Sequence, residues 1–238
     1  MISAGQNELM TRIGPGTPAG TLLRNYWQPA ALALVALATV SVVSFGADDE
    51  TVRVPYVEVG DCWSYRTDNI IYQNKPVHDY ELCVTLVDQS KGTILAVGTR
   101  KDDGLEIDAV YSLEWAGYAS IWGLITPEGT KHFRFPLKIG DVYANEFEFR
   151  DSRLGKNNGK STYTMKVVGW EEITVPAGTF RALKIEGHGM VKRYDRPLEF
   201  EQTITWWYSP KVNRHVKFWY RNPARSFGEE LTGFKLNQ

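Results

Sequence analysis

Tyr80-Glu81-Leu82-Cys83-Val84-Thr85-Leu86-Val87 repeats with a period of two: Tyr80, Leu82, Val84 and Leu86 fall on one side, and Glu81, Cys83, Thr85 and Val87 on the other. Successive side chains of an extended chain point to opposite faces, so the pattern predicts a β-strand with two unlike faces. The same period recurs outward from it. Ile94, Ala96 and Gly98 alternate with Leu95, Val97 and Thr99, and Phe147 and Phe149 alternate with Glu146, Glu148 and Arg150. No long stretch after Thr51 carries the i, i+3, i+4 spacing of an amphipathic helix. Turn signals separate the runs: Gly60-Asp61, Lys91-Gly92, Asp102-Asp103-Gly104, Pro127-Glu128-Gly129, Gly140-Asp141, Asn157-Asn158-Gly159 and Pro176-Ala177-Gly178. Short turns join antiparallel neighbours, and a long meander of such strands curls up. The expected fold of 51–238 is therefore all-β, an antiparallel meander closed into a barrel or half-barrel, preceded by an apolar N-terminal helix.

Two hairpins stand out. In Val175-Pro176-Ala177-Gly178-Thr179-Phe180, proline presets φ for the first corner and glycine tolerates the left-handed position that closes it. This turn joins a strand at 163–175 to one at 179–189. Farther on, Ile204-Thr205-Trp206-Trp207-Tyr208 and Val216-Lys217-Phe218-Trp219-Tyr220 flank Ser209-Pro210-Lys211-Val212-Asn213. Symmetric closure of that loop pairs Trp206 with Val216, Ile204 with Phe218 and Gln202 with Tyr220 on one face. Thr205 with Lys217 and Thr203 with Trp219 take the other.

Composition narrows the functional classes. Lys+Arg number 27 against 28 Asp+Glu, a formal net charge of -1, without the clustered cation that phosphate neutralisation requires, so no nucleic-acid partner is expected. The two cysteines, Cys62 and Cys83, lack a CxxC spacing and cannot supply the four ligands of a structural zinc site. No GxSxG, HExxH or Walker string occurs, and Gly187-His188-Gly189 lacks the third glycine of a dinucleotide loop. Glu171-Glu172 and Glu229-Glu230 put neighbours on opposite strand faces, which is the wrong geometry for an acid/base pair. No catalytic, metal-ligating or cofactor-binding residue is assigned and no cofactor is expected; a hydrolase built from dispersed Asp, Glu and His stays open. The remaining candidates are aromatic, and these residues make up 13% of the chain. Trp63, Tyr65, Trp206, Phe218 and Tyr220 either fill the concave face of the sheet or line an apolar cleft, since pockets favour aromatic linings. Trp207 and Trp219 fall on the opposite face as exposed contact points for a protein partner.

The N-terminal region reads differently. The run Gln6-Asn7-Glu8-Leu9-Met10-Thr11-Arg12-Ile13-Gly14-Pro15-Gly16-Thr17-Pro18, continuing to Leu22-Leu23-Arg24-Asn25-Tyr26-Trp27-Gln28-Pro29, resembles the opening of phthalate-dioxygenase-type Rieske oxygenases. That resemblance implies an iron–sulfur cluster held by two Cys and two His, and a mononuclear iron site. Neither Cys62 nor Cys83 has the following His the cluster motif needs, and His78, His132, His188 and His215 are scattered. A Rieske-type oxygenase component is thus the lesser alternative, and no iron is expected; 1–30 reads as a leader from a gene fusion or a start drawn across a junction. Residues 31–46 are uncharged and almost wholly apolar, preceded by Arg12 and Arg24 and ending in Ser44-Phe45-Gly46, the layout of a signal peptide. A buried core helix and a retained single-span anchor are the other readings of this segment.

A second resemblance covers nearly everything after Thr51. Gly60-Asp61-Cys62-Trp63-Ser64-Tyr65, Phe135-Pro136-Leu137-Lys138-Ile139-Gly140-Asp141, the 173–180 turn region, Trp207-Tyr208-Ser209-Pro210 and the ending Glu229-Glu230-Leu231-Thr232-Gly233-Phe234 are similar, in order and spacing, to the TapB-like family of bacterial envelope domains. It implies an exported antiparallel β domain and brings no catalytic residues. The expected place is the periplasm or the exterior, and the expected partner is an apolar small molecule or envelope component. Contact with a membrane is expected only through 31–46, if that segment is not cleaved. In an oxidising compartment Cys62 and Cys83 read as one disulfide. Both lie on the less apolar side of their strands, where a cross-strand bridge can form; two independent thiols are the alternative.

Overall fold

The computed structural model describes residues 51–69, 79–120, 124–151, 157–223 and 226–237. The leader over 1–30 and the apolar segment over 31–46 lie outside the described residues. The strands are β1 (Cys62–Asn69), β2 (Asp79–Asp88), β3 (Thr93–Arg100), β4 (Glu106–Ser112), β5 (Gly117–Ala119), β6 (Leu124–Thr130), β7 (Val142–Asp151), β8 (Asn157–Val175), β9 (Gly178–Arg193), β10 (Glu199–Ser209), β11 (Arg214–Arg221) and β12 (Ser226–Lys235). Each pairs antiparallel with its sequence neighbour, and β1 pairs with both β2 and β12, so the meander closes into a twelve-stranded barrel. Among the described residues, β6 and β7 meet only at Leu124↔Asp151 and Ile125↔Arg150.

The period-two pattern decides which side faces in. In β2, Tyr80, Leu82 and Val84 are buried while Glu81 and Thr85 are exposed; in β3, Ile94 and Ala96 point in. The outer face carries ion pairs, among them Lys184–Glu186 at 2.9 Å and Lys217–Glu230 at 2.7 Å. An apolar interior under a charged exterior is the reverse of a transmembrane barrel, whose outer face is an apolar band. Barrel diameter grows with strand number, and about eight strands already suffice for side chains to fill the interior. Twelve leave more room, and this chain fills it with large rings: Trp63, Tyr65, Tyr80, Tyr111, Trp115, Phe147, Tyr163, Tyr208 and Phe218 are all buried. The loop between β6 and β7 adds to the filling. Phe133 packs 5.3 Å from Tyr208 and 5.4 Å from Trp206, and Leu137 bonds through its backbone to Val52.

Bulges correct the sequence reading in two places. Leu86, expected on the inner face, is 46% exposed, because the β2–β3 register shifts between Val84 and Leu86 and reverses the phase. In the β10–β11 hairpin, Trp206 pairs with Phe218 and Ile204 with Tyr220, not with Val216 and Phe218; Thr205 faces Trp219, not Lys217, and Thr203 faces Arg221. The loop closes at Ser209↔Arg214 around a 3₁₀ turn (Pro210–Val212) and a left-handed Asn213, which shifts the register by one. A bulge at Val216 shifts it by another. A two-residue slip restores the faces, so Trp206 and Phe218 share the interior with rings stacked at 4.1 Å. The β8–β9 hairpin turns at Pro176-Ala177, with Val175 opposite Gly178 (φ 128°). Cys62 and Cys83 are directly opposed on β1 and β2 and joined by a disulfide.

Candidate functional site

Inside the barrel is a cavity of ≈ 280 Å³. Its buried end lies beside the β10–β11 turn, where Tyr111, Trp115, Arg214, His215 and Glu229 line it. Its other end lies among the partly exposed Leu124, Phe149, Arg193 and Phe200, at the opposite ends of the strands. Between them the wall is aromatic: the Trp206–Phe218 stack, Phe227 at 5.5 Å from Phe218, and His132 at 4.9 Å from Trp206. Period-two phasing of β10, β11 and β12 puts Ile204, Trp206, Phe218, Tyr220, Phe227 and Glu229 on this wall.

Three of the five aromatic residues expected in a cleft, Trp206, Phe218 and Tyr220, line the cavity; Trp63 and Tyr65 do not. Those two hold up its buried end. The Trp63 indole N–H donates to Val212 O at 2.7 Å, Trp115 donates to Asn213 O at 2.8 Å, and the Tyr65 hydroxyl donates to His215 O at 2.7 Å. Turn carbonyls that would otherwise be buried without donors are satisfied in this way. Trp207 and Trp219, expected to be exposed, are half-buried. Trp207 donates to Glu171 at 2.8 Å with Lys184 and Lys217 near its ring. Trp219 covers Gly228, where a Cβ would sit 1.8 Å from its ring carbon Cε3.

The polar lining falls into two groups. Midway, the Gln202 amide donates to Ser161 Oγ, the Tyr220 hydroxyl donates to Gln202 Oε1 at 3.3 Å, and Asn222 donates to Tyr220 at 2.8 Å. At the buried end, Glu229 Oε2 accepts from the Tyr80 hydroxyl at 2.8 Å and lies 3.3 Å from His215 Nε2. Burial holds the His215 imidazole down to about 4, against the upward pull of Glu229, so it is neutral at pH 7 and donates to the carboxylate. Burial, reinforced by His215, lowers His132 to about 3. Burial alone raises Glu229, but the bonds from His215 and Tyr80 and the charge of Arg214 outweigh it, and the carboxyl is held below its ordinary value.

Arg214 is 6% exposed. Its guanidinium carbon lies 4.1 Å from the Trp115 ring centroid, 5.1 Å from Tyr111 and 5.5 Å from Trp63. Its Nε and Nη1 donors are buried with no hydrogen-bond partner. Arg214, His215 and Glu229 were missing from the sequence expectation. For His215 the Val216 bulge is the reason: it turns the imidazole inward where simple alternation put Val216. Among the described residues no group of three or more His, Cys, Asp and Glu side chains converges as a metal site.

No protein-family profile matches this chain. Over 29 residues, 12% of the chain, it is 62% identical to the 5,5'-dehydrodivanillate O-demethylase oxygenase subunit of a Sphingobium strain, and those residues span 7% of that protein. Among solved structures it is similar to a candidate lipoprotein from Parabacteroides distasonis (13% identity, 78% of this chain and 100% of that one, TM-score 0.48). An exported-protein candidate with a YmcC-like fold from Bacteroides fragilis is also similar (14% identity, 78% and 100%, TM-score 0.48). So is the hypothetical lipoprotein YmcC from Escherichia coli (8% identity, 73% and 83%, TM-score 0.41).

Proposed function

We propose that 51–238 is an exported domain of the bacterial envelope, periplasmic or secreted, that holds an apolar small molecule or the apolar part of an envelope component inside its barrel. The observation that carries this reading is the ≈ 280 Å³ cavity walled by Trp206, Phe218 and Tyr220. Rings of this size could have met across the barrel axis; here they stand back and leave room, as ligand sites do. The disulfide between Cys62 and Cys83 suits an oxidising compartment, and the apolar run over 31–46 suits export. The TapB-like order of segments supports membership in that envelope family. No catalytic residue or cofactor forms part of this reading.

Organic extraction of the full chain, purified without detergent from its native envelope, tests it. Mass spectrometry is expected to find one apolar species near stoichiometric amount, lost in Trp206→Ala. Repeated recovery of empty protein would refute ligand carriage. Sequencing the N-terminus of the envelope form tests export separately, with a start close to Gly46 expected and retention of Gln6-Asn7 arguing against cleavage.

A further inference from the structure

The two ends of the cavity differ in chemistry, and the buried end offers donors. Arg214 is a buried cation gripped by the faces of Trp115 and Tyr111, and its Nε and Nη1 have no acceptor. Ring faces attract a cation but do not replace a hydrogen-bond acceptor, and a buried unsatisfied donor is costly, more so when charged. The neighbouring acceptor, Glu229 Oε2, is already shared by Tyr80 and His215. Beyond Arg214 the Trp206–Phe218 stack begins an apolar wall that leads toward the half-exposed end.

We propose that the ligand is an apolar monocarboxylate, its carboxylate meeting Arg214 and its body lying along the Trp206–Phe218 wall. The inference rests on the apolar-ligand reading above and gives it a chemical class. The charge follows from the count of partners. Arg214 is the cation of this end and Glu229 already claims part of its charge, so a single negative charge is buried there at less cost than the two of a phosphomonoester. The acid's body, alkyl or aryl, is distinguished by experiment.

The test is calorimetric titration of the delipidated full chain with decanoate, 2-naphthoate, and their neutral counterparts 1-decanol and 2-naphthol. At least one acid is expected to bind tenfold or more tighter than its alcohol. Which acid does so identifies the body. Arg214→Gln should bring acid and alcohol to within threefold, while Glu229→Gln, by removing a like charge, should tighten the acid alone. Equal binding of acids and alcohols to the unmodified protein would overturn the carboxylate assignment and leave the apolar cavity reading standing. No binding of any of the four would sink the cavity reading itself. If Arg214→Gln does not fold, the acid–alcohol comparison and Glu229→Gln decide the matter without it.

Discussion

Acid should destabilise this barrel well before its carboxylates are protonated. His132 and His215 are buried in the interior, with folded values of about 3 and about 4 against an ordinary 6.5. The unfolded chain therefore binds protons that the folded chain refuses. Their contribution to stability is fully present above about pH 6.5 and falls away as pH drops toward 4. Integrating the proton linkage from pH 7.5 to pH 5, each imidazole costs about 2 kcal/mol, about 4 kcal/mol together. That is a large part of the roughly 5–15 kcal/mol by which domains are stable. Glu229, held below its ordinary value, acts in the same direction at lower pH. Urea unfolding at pH 7.5 and pH 5 measures the difference directly. His132→Gln should remove about half of the pH dependence, since each imidazole contributes about equally between pH 7.5 and 5. A loss of only about 2 kcal/mol in the parent protein, abolished by His132→Gln, would mean that His215 is protonated beside Glu229 in the folded state. Pure pH-independence between 7.5 and 5 would refute the burial argument for both.

Three further outcomes follow from single contacts. Replacing Cys62 and Cys83 by alanine opens a loop of 21-residue separation, for which chain entropy gives about 3 kcal/mol, read as a lower urea midpoint. Gly189→Ala would put a Cβ 1.6 Å from the Thr162 carbonyl oxygen across β8–β9, so the strands must separate, at a cost of about 1–3 kcal/mol or more by chemical unfolding. Trp206→Ala removes the ring that stacks on Phe218 and meets His132, Phe133 and His215; it should cost about 3–5 kcal/mol, read by thermal or urea unfolding.

The barrel was legible because period two and short turns are local properties. Tyr80, Leu82 and Val84 declare an inner face on their own, and Val175-Pro176-Ala177-Gly178 declares a turn. Bulges are not local in that sense. Nothing in Val84-Thr85-Leu86 announces that β2 slips against β3, yet the slip puts Leu86 outside. Of the site, the aromatic wall could be read from alternation in β10 and β11, and the polar end could not. Trp63 and Tyr65 look like wall residues in one dimension. Their role as donors to Val212 and His215 carbonyls depends on contacts about 150 residues away.

The β10–β11 turn links fold and site. Its four-residue loop and the bulge at Val216 each displace the register by one, so their sum keeps Trp206 and Phe218 facing inward. Either irregularity alone would turn one of the two rings outward and dismantle the wall. The pair also brings Arg214, His215 and Val216 in succession into buried positions, which a regular strand would not do. Three hydrogen bonds then fix the turn: Trp63 on Val212, Trp115 on Asn213, and Tyr65 on His215. Trp115 both bonds the turn and stacks under the Arg214 guanidinium, so the group that fixes the loop also fixes the cation at the buried end of the cavity. A deletion in Pro210–Asn213 should therefore disturb the wall and the cation together.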